Sequence, residues 1–164
     1  MGKQYLVFTG EYEHTIDAKN RLAIPSEIRA LIQAERGANN DGEPLKMYVT
    51  LGEGQCLCLY TEQGFEKRAE ELDHSELDAD ELLAYERIMF SMTRQVELDK
   101  QGRIRLPETL LERAKLGSEV VLLGVKDHLE IRDREAWREH LEMMLSTRPG
   151  ILMNPRRAMK RRQM

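Results

Sequence analysis

The chain has 164 residues, two cysteines, 33% charged residues and a formal charge of −4. That length suits one compact domain or two very small ones, and it can bury a core without help from disulfides or metals. The opening MGKQYLVFTG has no apolar run of signal-peptide length, and no window approaches the ~18 apolar residues of a membrane span, so a cytoplasmic protein with no membrane partner is expected.

In chain order, Tyr12 to Ile16 reads as a strand, and DAKN (17 to 20) as a tight turn into a second strand, Arg21 to Ile24. Pro25 opens a short helical segment, because proline suits the first helical turn. The polar, glycine-rich ERGANNDGEP (35 to 44) reads as a loop, followed by strands at Met47 to Leu51 and Cys56 to Tyr60 around Gly52. Thr61 is a good cap for the helix after them. SELDADELLAYERIMF (75 to 90) has no glycine or proline and carries its acids at the N-terminal end, which predicts a helix capped by Ser75.

The same series then returns. DKQGRIRLP (99 to 107) repeats DAKNRLAIP (17 to 25) at an offset of 82, pairing Asp17 with Asp99, Arg21 with Arg103, Ile24 with Leu106 and Pro25 with Pro107. Further on, 47 to 65 matches 119 to 137 at an offset of 72, pairing Gly52 with Gly124 and Phe65 with Trp137; the ten-residue difference falls in the 35 to 44 loop. The second copy has strands at Arg94 to Leu98, Arg103 to Leu106, Val120 to Leu123 and His128 to Ile131. It ends in a helix from Asp133 with the amphipathic stripe Trp137, Leu141, Leu145.

A four-strand unit this small cannot cover its own edges. Two units in one chain are expected to pair through a pseudo-two-fold and close a small barrel. The predicted class is α+β, mainly β, with 11–62 as the first repeat, 75–92 as a connecting helix, 93–136 as the second repeat and 137–147 as a C-terminal helix. Residues 148–164 are read as a basic, disordered tail: the last eleven residues hold Arg156, Arg157, Lys160, Arg161 and Arg162 and no acid, leaving 20 bases against 29 acids elsewhere.

The repeated turn carries the chemistry. Asn20 and Gly102 share easy access to positive φ, and Asp17 and Asp99 can accept hydrogen bonds from the turn amides. Such a turn presents Lys19 or Lys100 at its tip, while alternation points Arg21, Arg103 and Arg105 away from Leu22, Ile24, Ile104 and Leu106. One reading is a ribbon whose bases reach guanine edges and phosphates in a DNA major groove. The other is a staple, in which Arg21 and Arg103 pair with Asp17 and Asp99. A single such hairpin binds weakly, so DNA binding calls for many copies presented together.

Other chemistry has less support. Cys56 and Cys58 point to one face of a strand and read as small core residues of a reduced protein. As a metal site the pair lacks the further ligands that structural zinc needs. His14, Asp17, Asp99 and His128 are the only acid and base candidates, and no nucleophile motif or phosphate-binding loop accompanies them. No enzyme, cofactor, metal or small-molecule substrate is expected.

With these motifs in hand, GEYEHTIDAKNRLAIPSEIR (10 to 29), the stretch 99 to 137 and the duplication itself resemble the MraZ family of bacterial regulators, built from two SpoVT-AbrB repeats. The resemblance covers about residues 5 to 145. It implies a duplicated AbrB-like swapped-hairpin β-barrel formed by the two repeats of one chain, with flanking helices. It also implies a ring-shaped homo-oligomer that binds double-stranded DNA at short direct repeats upstream of the division and cell-wall gene cluster. A nucleoid-associated transcriptional regulator is then expected, its first turn (Asp17, Lys19, Arg21) touching DNA. An AbrB-like antitoxin or protein-binding scaffold is the alternative; an acidic or apolar terminal segment would suit it better than this basic one.

Overall fold

A computed structural model describes residues 6–38 and 42–152. In chain order these form β1 (Glu11–Thr15), β2 (Arg21–Ala23), α1 (Ser26–Arg36), β3 (Lys46–Leu51), β4 (Cys56–Thr61), α2 (Glu62–Leu72), α3 (Ala79–Met92), β5 (Arg94–Glu97), β6 (Arg103–Arg105), α4 (Glu108–Ala114), β7 (Glu119–Val125), β8 (His128–Asp133) and α5 (Arg134–Thr147). The class is α+β, mainly β. The basic segment 153–164 lies outside the described residues.

The halves exchange strands. β1 pairs with β7 of the second half, and its counterpart β5 pairs with β3 of the first, both antiparallel. β4 pairs with β8 and β2 with β6, each with its own repeat equivalent. Every cross-half pairing is thus its own image, or the image of another, under a pseudo-two-fold. The large sheet runs β1-β7-β8-β4-β3-β5, and β2-β6 is a separate two-stranded ribbon.

The closed barrel expected from the duplication is not found. β1 and β5 are the two edges of the six-stranded sheet, and no ladder joins them among the described residues. The reason lies in the turns: each half leaves its edge strand after a single Asp17 N–H to Arg21 carbonyl bond (3.0 Å) or Asp99 N–H to Arg103 carbonyl bond (2.8 Å). It then enters the ribbon, so the edges continue into β2 and β6 instead of meeting each other. The ribbon drives Leu22 and Ile104, both 0% exposed, into the same core as Phe8, Met47, Leu57, Leu122 and Ile131 of the sheet region. Helices α1 and α4 add Ile28, Ile32, Leu110 and Leu111 to that core. Burying this apolar surface is the main stabilising term.

Local rules explain the element ends. Thr61 Oγ1 accepts from the Gly64 amide at 3.0 Å, and Asp133 Oδ2 from the Ala136 amide at 2.9 Å, so both residues cap helices. Pro25 and Pro107 sit just before α1 and α4 rather than inside them. The connecting helix begins at Ala79 instead of Ser75: Asp78 Oδ1 accepts from the Glu81 amide (2.9 Å), whereas Ser75 Oγ accepts locally from the Leu77 amide (3.2 Å). The insertion at 35 to 44 is not all loop, since α1 runs to Arg36 and is 11 residues long against 7 for α4.

Opposite the main core, α2 and α3 lie over the outer face through aromatic contacts. Phe65 stacks on Tyr48 with centroids 4.4 Å apart and meets Phe90 edge-on at 5.6 Å.

Candidate nucleic-acid interface

The two Asp-x-x-x-Arg turns are built alike. Asp17 Oδ1 accepts from the amides of Lys19 (2.9 Å) and Arg21 (2.8 Å), while Oδ2 accepts from Arg21 Nε at 2.7 Å. Asp99 Oδ1 accepts from the amides of Gln101 and Arg103, both at 2.9 Å, and its Oδ2 from Arg103 Nε at 3.0 Å. Each carboxylate therefore organises its turn and holds the guanidinium on the exit strand. Amide donation, first from Arg21 or Arg103, holds both carboxyls below the usual aspartate range.

Residue type fixes the turn backbone. Asn20 and Gly102 adopt φ of 62° and 75°, the left-handed region that asparagine and glycine enter most readily. The two positions are not interchangeable. A Cβ on Gly102 would lie 2.7 Å from Cζ and Nε of Arg29, which crosses over it from α1. Arg29 Nε donates to the Ile24 carbonyl at 3.1 Å, so that arginine ties α1 to the ribbon above the second turn. Its repeat equivalent is Leu111, an apolar side chain that lies in the main core. Arg29 lies outside the repeated nine-residue motif, and its place in α1 reveals it.

The lysines occupy different steps of the two turns. Lys19 is the third residue of DAKNR and Lys100 the second of DKQGR; both are exposed. Arg21 lies opposite Arg105 and Ala23 opposite Arg103 in the β2–β6 ladder, so the three arginines share the ribbon face that Leu22 and Ile104 do not use. Arg21 and Arg103 are engaged by their aspartates, and Arg105 makes no ion pair among the described residues. An open groove of about 550 Å³ beside it is lined by Asn20, Arg94, Glu97, Arg105 and Glu108. The ribbon thus carries three arginines on one face between two turn tips.

The acid and base candidates are dispersed. No hydrogen bond joins any two of His14, Asp17, Asp99 and His128 among the described residues. His14 sits in β1 with its carbonyl accepting from Arg134 Nη2 at 2.8 Å. His128 contacts Asp127 and Glu130 instead. No helix among the described residues is long and apolar enough to cross a membrane.

Comparison with known proteins gives one consistent family. The family model described as "MraZ: MraZ protein, putative antitoxin-like" matches residues 7–85 and again 89–149, one match for each half. A protein of Moorella thermoacetica named "Transcriptional regulator MraZ" is 39% identical over 134 residues, covering 82% of this chain and 86% of its own. Proteins of the same name from Finegoldia magna and Roseiflexus sp. strain RS-1 are 34% and 35% identical, over 82% and 84% of this chain and 86% and 89% of their own. With both halves matched and relatives aligned over most of its length, the chain belongs to the MraZ family.

Proposed function

We propose that the protein is a sequence-specific DNA-binding transcriptional regulator, and that its reading surface is the β2–β6 ribbon with the two turns at its ends. The observation that carries this reading is the placement of Arg21, Arg103 and Arg105 on one face of a ribbon whose other face is buried. A two-stranded ribbon fits the major groove, arginine is suited to guanine, and Lys19 and Lys100 stand at the tips for phosphate. The names of the relatives support regulation of transcription as the purpose.

One ribbon offers few phosphate contacts, and its affinity falls steeply with salt. The reading therefore includes a ring-shaped homo-oligomer in which neighbouring copies present the same ribbon in the same direction, suited to short direct repeats upstream of the division and cell-wall gene cluster. Exposed apolar side chains on α3 and α5 support self-association: Leu83 is 46%, Ile88 62% and Met143 52% exposed. The two stapled aspartates fit the same reading, since a rigid turn loses little entropy on docking.

The test is DNA binding by the purified chain, titrated over salt, on its own upstream fragment and on a scrambled control, beside Arg21→Ala. Promoter-selective binding that the substitution weakens, with the oligomer size unchanged in light scattering, is expected. Equal binding to both fragments would favour the antitoxin or scaffold alternative. Collapse of the oligomer in Arg21→Ala would reduce Arg21 to its staple.

A further inference from the structure

The centre of the sheet holds a second polar group, on the face away from the main core. Cys58 of β4 stands directly opposite Glu130 of β8, and Cys56 opposite Arg132. At the offset of 72, Cys58 and Glu130 are repeat equivalents, as are Cys56 and His128, so the pseudo-two-fold passes between Cys58 and Glu130. The two sulphurs and a Glu130 carboxylate oxygen all lie within 4.8 Å of one another. Cys56 is 1% and Cys58 7% exposed.

The surroundings suit an ion. Gly52, at the β3–β4 turn, packs closely against both sulphurs, which only a residue without a side chain permits: a Cβ there would lie 2.8 Å from Cys56 Sγ and 2.9 Å from Cys58 Sγ. Glu130 is held on both oxygens, Oε2 by His128 Nε2 at 2.9 Å and Oε1 by Arg132 Nε at 2.8 Å. His128 is fixed in turn by Asp127 Oδ1 at 2.7 Å from its Nδ1. An oriented carboxylate backed by a histidine is the outer shell that metal ligands use, and each carboxylate oxygen keeps a lone pair for a ligand. The C-x-C pair lacks further ligands in sequence; the fold supplies one from the other half.

We propose that Cys56, Cys58 and Glu130 bind one thiophilic divalent cation of the zinc class, with His128 and Arg132 as positioning residues for Glu130. Two thiolates favour such an ion over magnesium or calcium. The cation and Arg132 together cancel the charge of two thiolates and one carboxylate, which a buried site requires. Zinc–sulphur bonds of ~2.3 Å put tetrahedral sulphurs about 3.8 Å apart, so from separations of 4.8 Å or less closing on the ion takes at most about an ångström, with a fourth position left to water. Binding displaces the thiol protons to solvent. Since β4 and β8 belong to different halves, the ion clips the two repeats together across their axis.

The experiment is a cadmium titration of the full-length, tag-free chain, kept reduced with a phosphine, followed by thiolate-to-metal charge-transfer absorption. Zinc is then used to displace the cadmium. One equivalent per chain, a raised Tm with zinc and loss of the band in Cys58→Ala are expected. Glu130→Gln should weaken binding, and His128→Gln should weaken it about 10- to 100-fold. Absence of the band in the unmodified chain overturns the proposal, whatever the variants do. A band undiminished in folded Cys58→Ala, checked by circular dichroism, overturns it as well.

Discussion

Arg21 stands directly opposite Arg105 across the β2–β6 ribbon, two guanidiniums in register on one face. Like charges so placed repel, and Asp17 neutralises only the first of them. What keeps the ribbon closed is its other face, Leu22 against Ile104, both fully buried. The pairing leaves an excess of positive charge that a bound anion would relieve, which links the fold to the proposed function.

Arg105→Ala removes a charge that has no ion-pair partner among the described residues. Stability should change by no more than ~0.5 kcal/mol or rise slightly. If the ribbon reads DNA, the slope of log affinity against log salt should fall by about 1. Thermal denaturation and salt-titrated fluorescence anisotropy measure the two. An unchanged slope would mean that the second half of the ribbon faces away from DNA.

Gly102→Ala should cost about 1–3 kcal/mol, because it puts a side chain at φ 75° and beneath Arg29. Asn20→Gly, at the equivalent position, should cost only a few tenths of a kcal/mol, since the left-handed backbone is retained. Urea denaturation of the two variants tests this asymmetry. Equal losses would show that neither the positive φ nor Arg29 penalises a side chain there.

Asp17 and Asp99 have folded-state pKa values below the ordinary 3.8, chiefly from the amides of Arg21 and Arg103. A lowered carboxyl stabilises the fold above its unfolded value and loses that contribution as pH falls through the folded one. Replacing both by Asn should lower Tm at neutral pH and flatten the acid limb of the Tm curve below about pH 4. An acid limb of unchanged steepness would assign it to other carboxylates.

For His128 and Glu130 the signs oppose. Hydrogen bonding to Glu130 raises His128 above 6.5, so its contribution is complete below 6.5 and is lost as pH rises through the folded value. Hydrogen bonding to His128 pushes Glu130 from 4.5 down to about 2, so its contribution is complete above 4.5 and is lost as pH falls toward 2. The pair stabilises most between 4.5 and 6.5. His128→Gln should abolish the decline on the alkaline side of that window, read as Tm against pH. A decline that persists would belong to another group.

Leu22→Ala and Ile104→Ala should each cost 2–5 kcal/mol, the usual range for a large apolar side chain removed from a core. As direct partners, they should not add in the double variant. Chemical denaturation of the three chains provides the cycle. Losses under about 1 kcal/mol would mean that the ribbon is an appendage to the sheet, outside its core.

Much of the local structure was legible. Thr61 and Asp133 cap helices, and Asn20 and Gly102 take positive φ, because these outcomes depend on neighbours a few residues away. The start of α3 was less so: Ser75 and Asp78 are both capping residues, and a local Ser75 bond to the Leu77 amide left the cap to Asp78. The length of α1 was misread because a charged, glycine-bearing insertion looks like loop while its first residues continue a helix.

The sequence alone determined the duplication, the two aspartate-built turns and the alternation that separates Arg21 from Leu22, all set by residue type and short-range spacing. Tertiary structure decided which strands meet: β1 with β7, β5 with β3, and an open sheet where a closed barrel was expected. It also set Arg21 against Arg105, Arg29 over Gly102 and Cys58 against Glu130. Those three contacts join residues 72 to 84 positions apart, and periodicity says which face a side chain uses without saying which strand it will face.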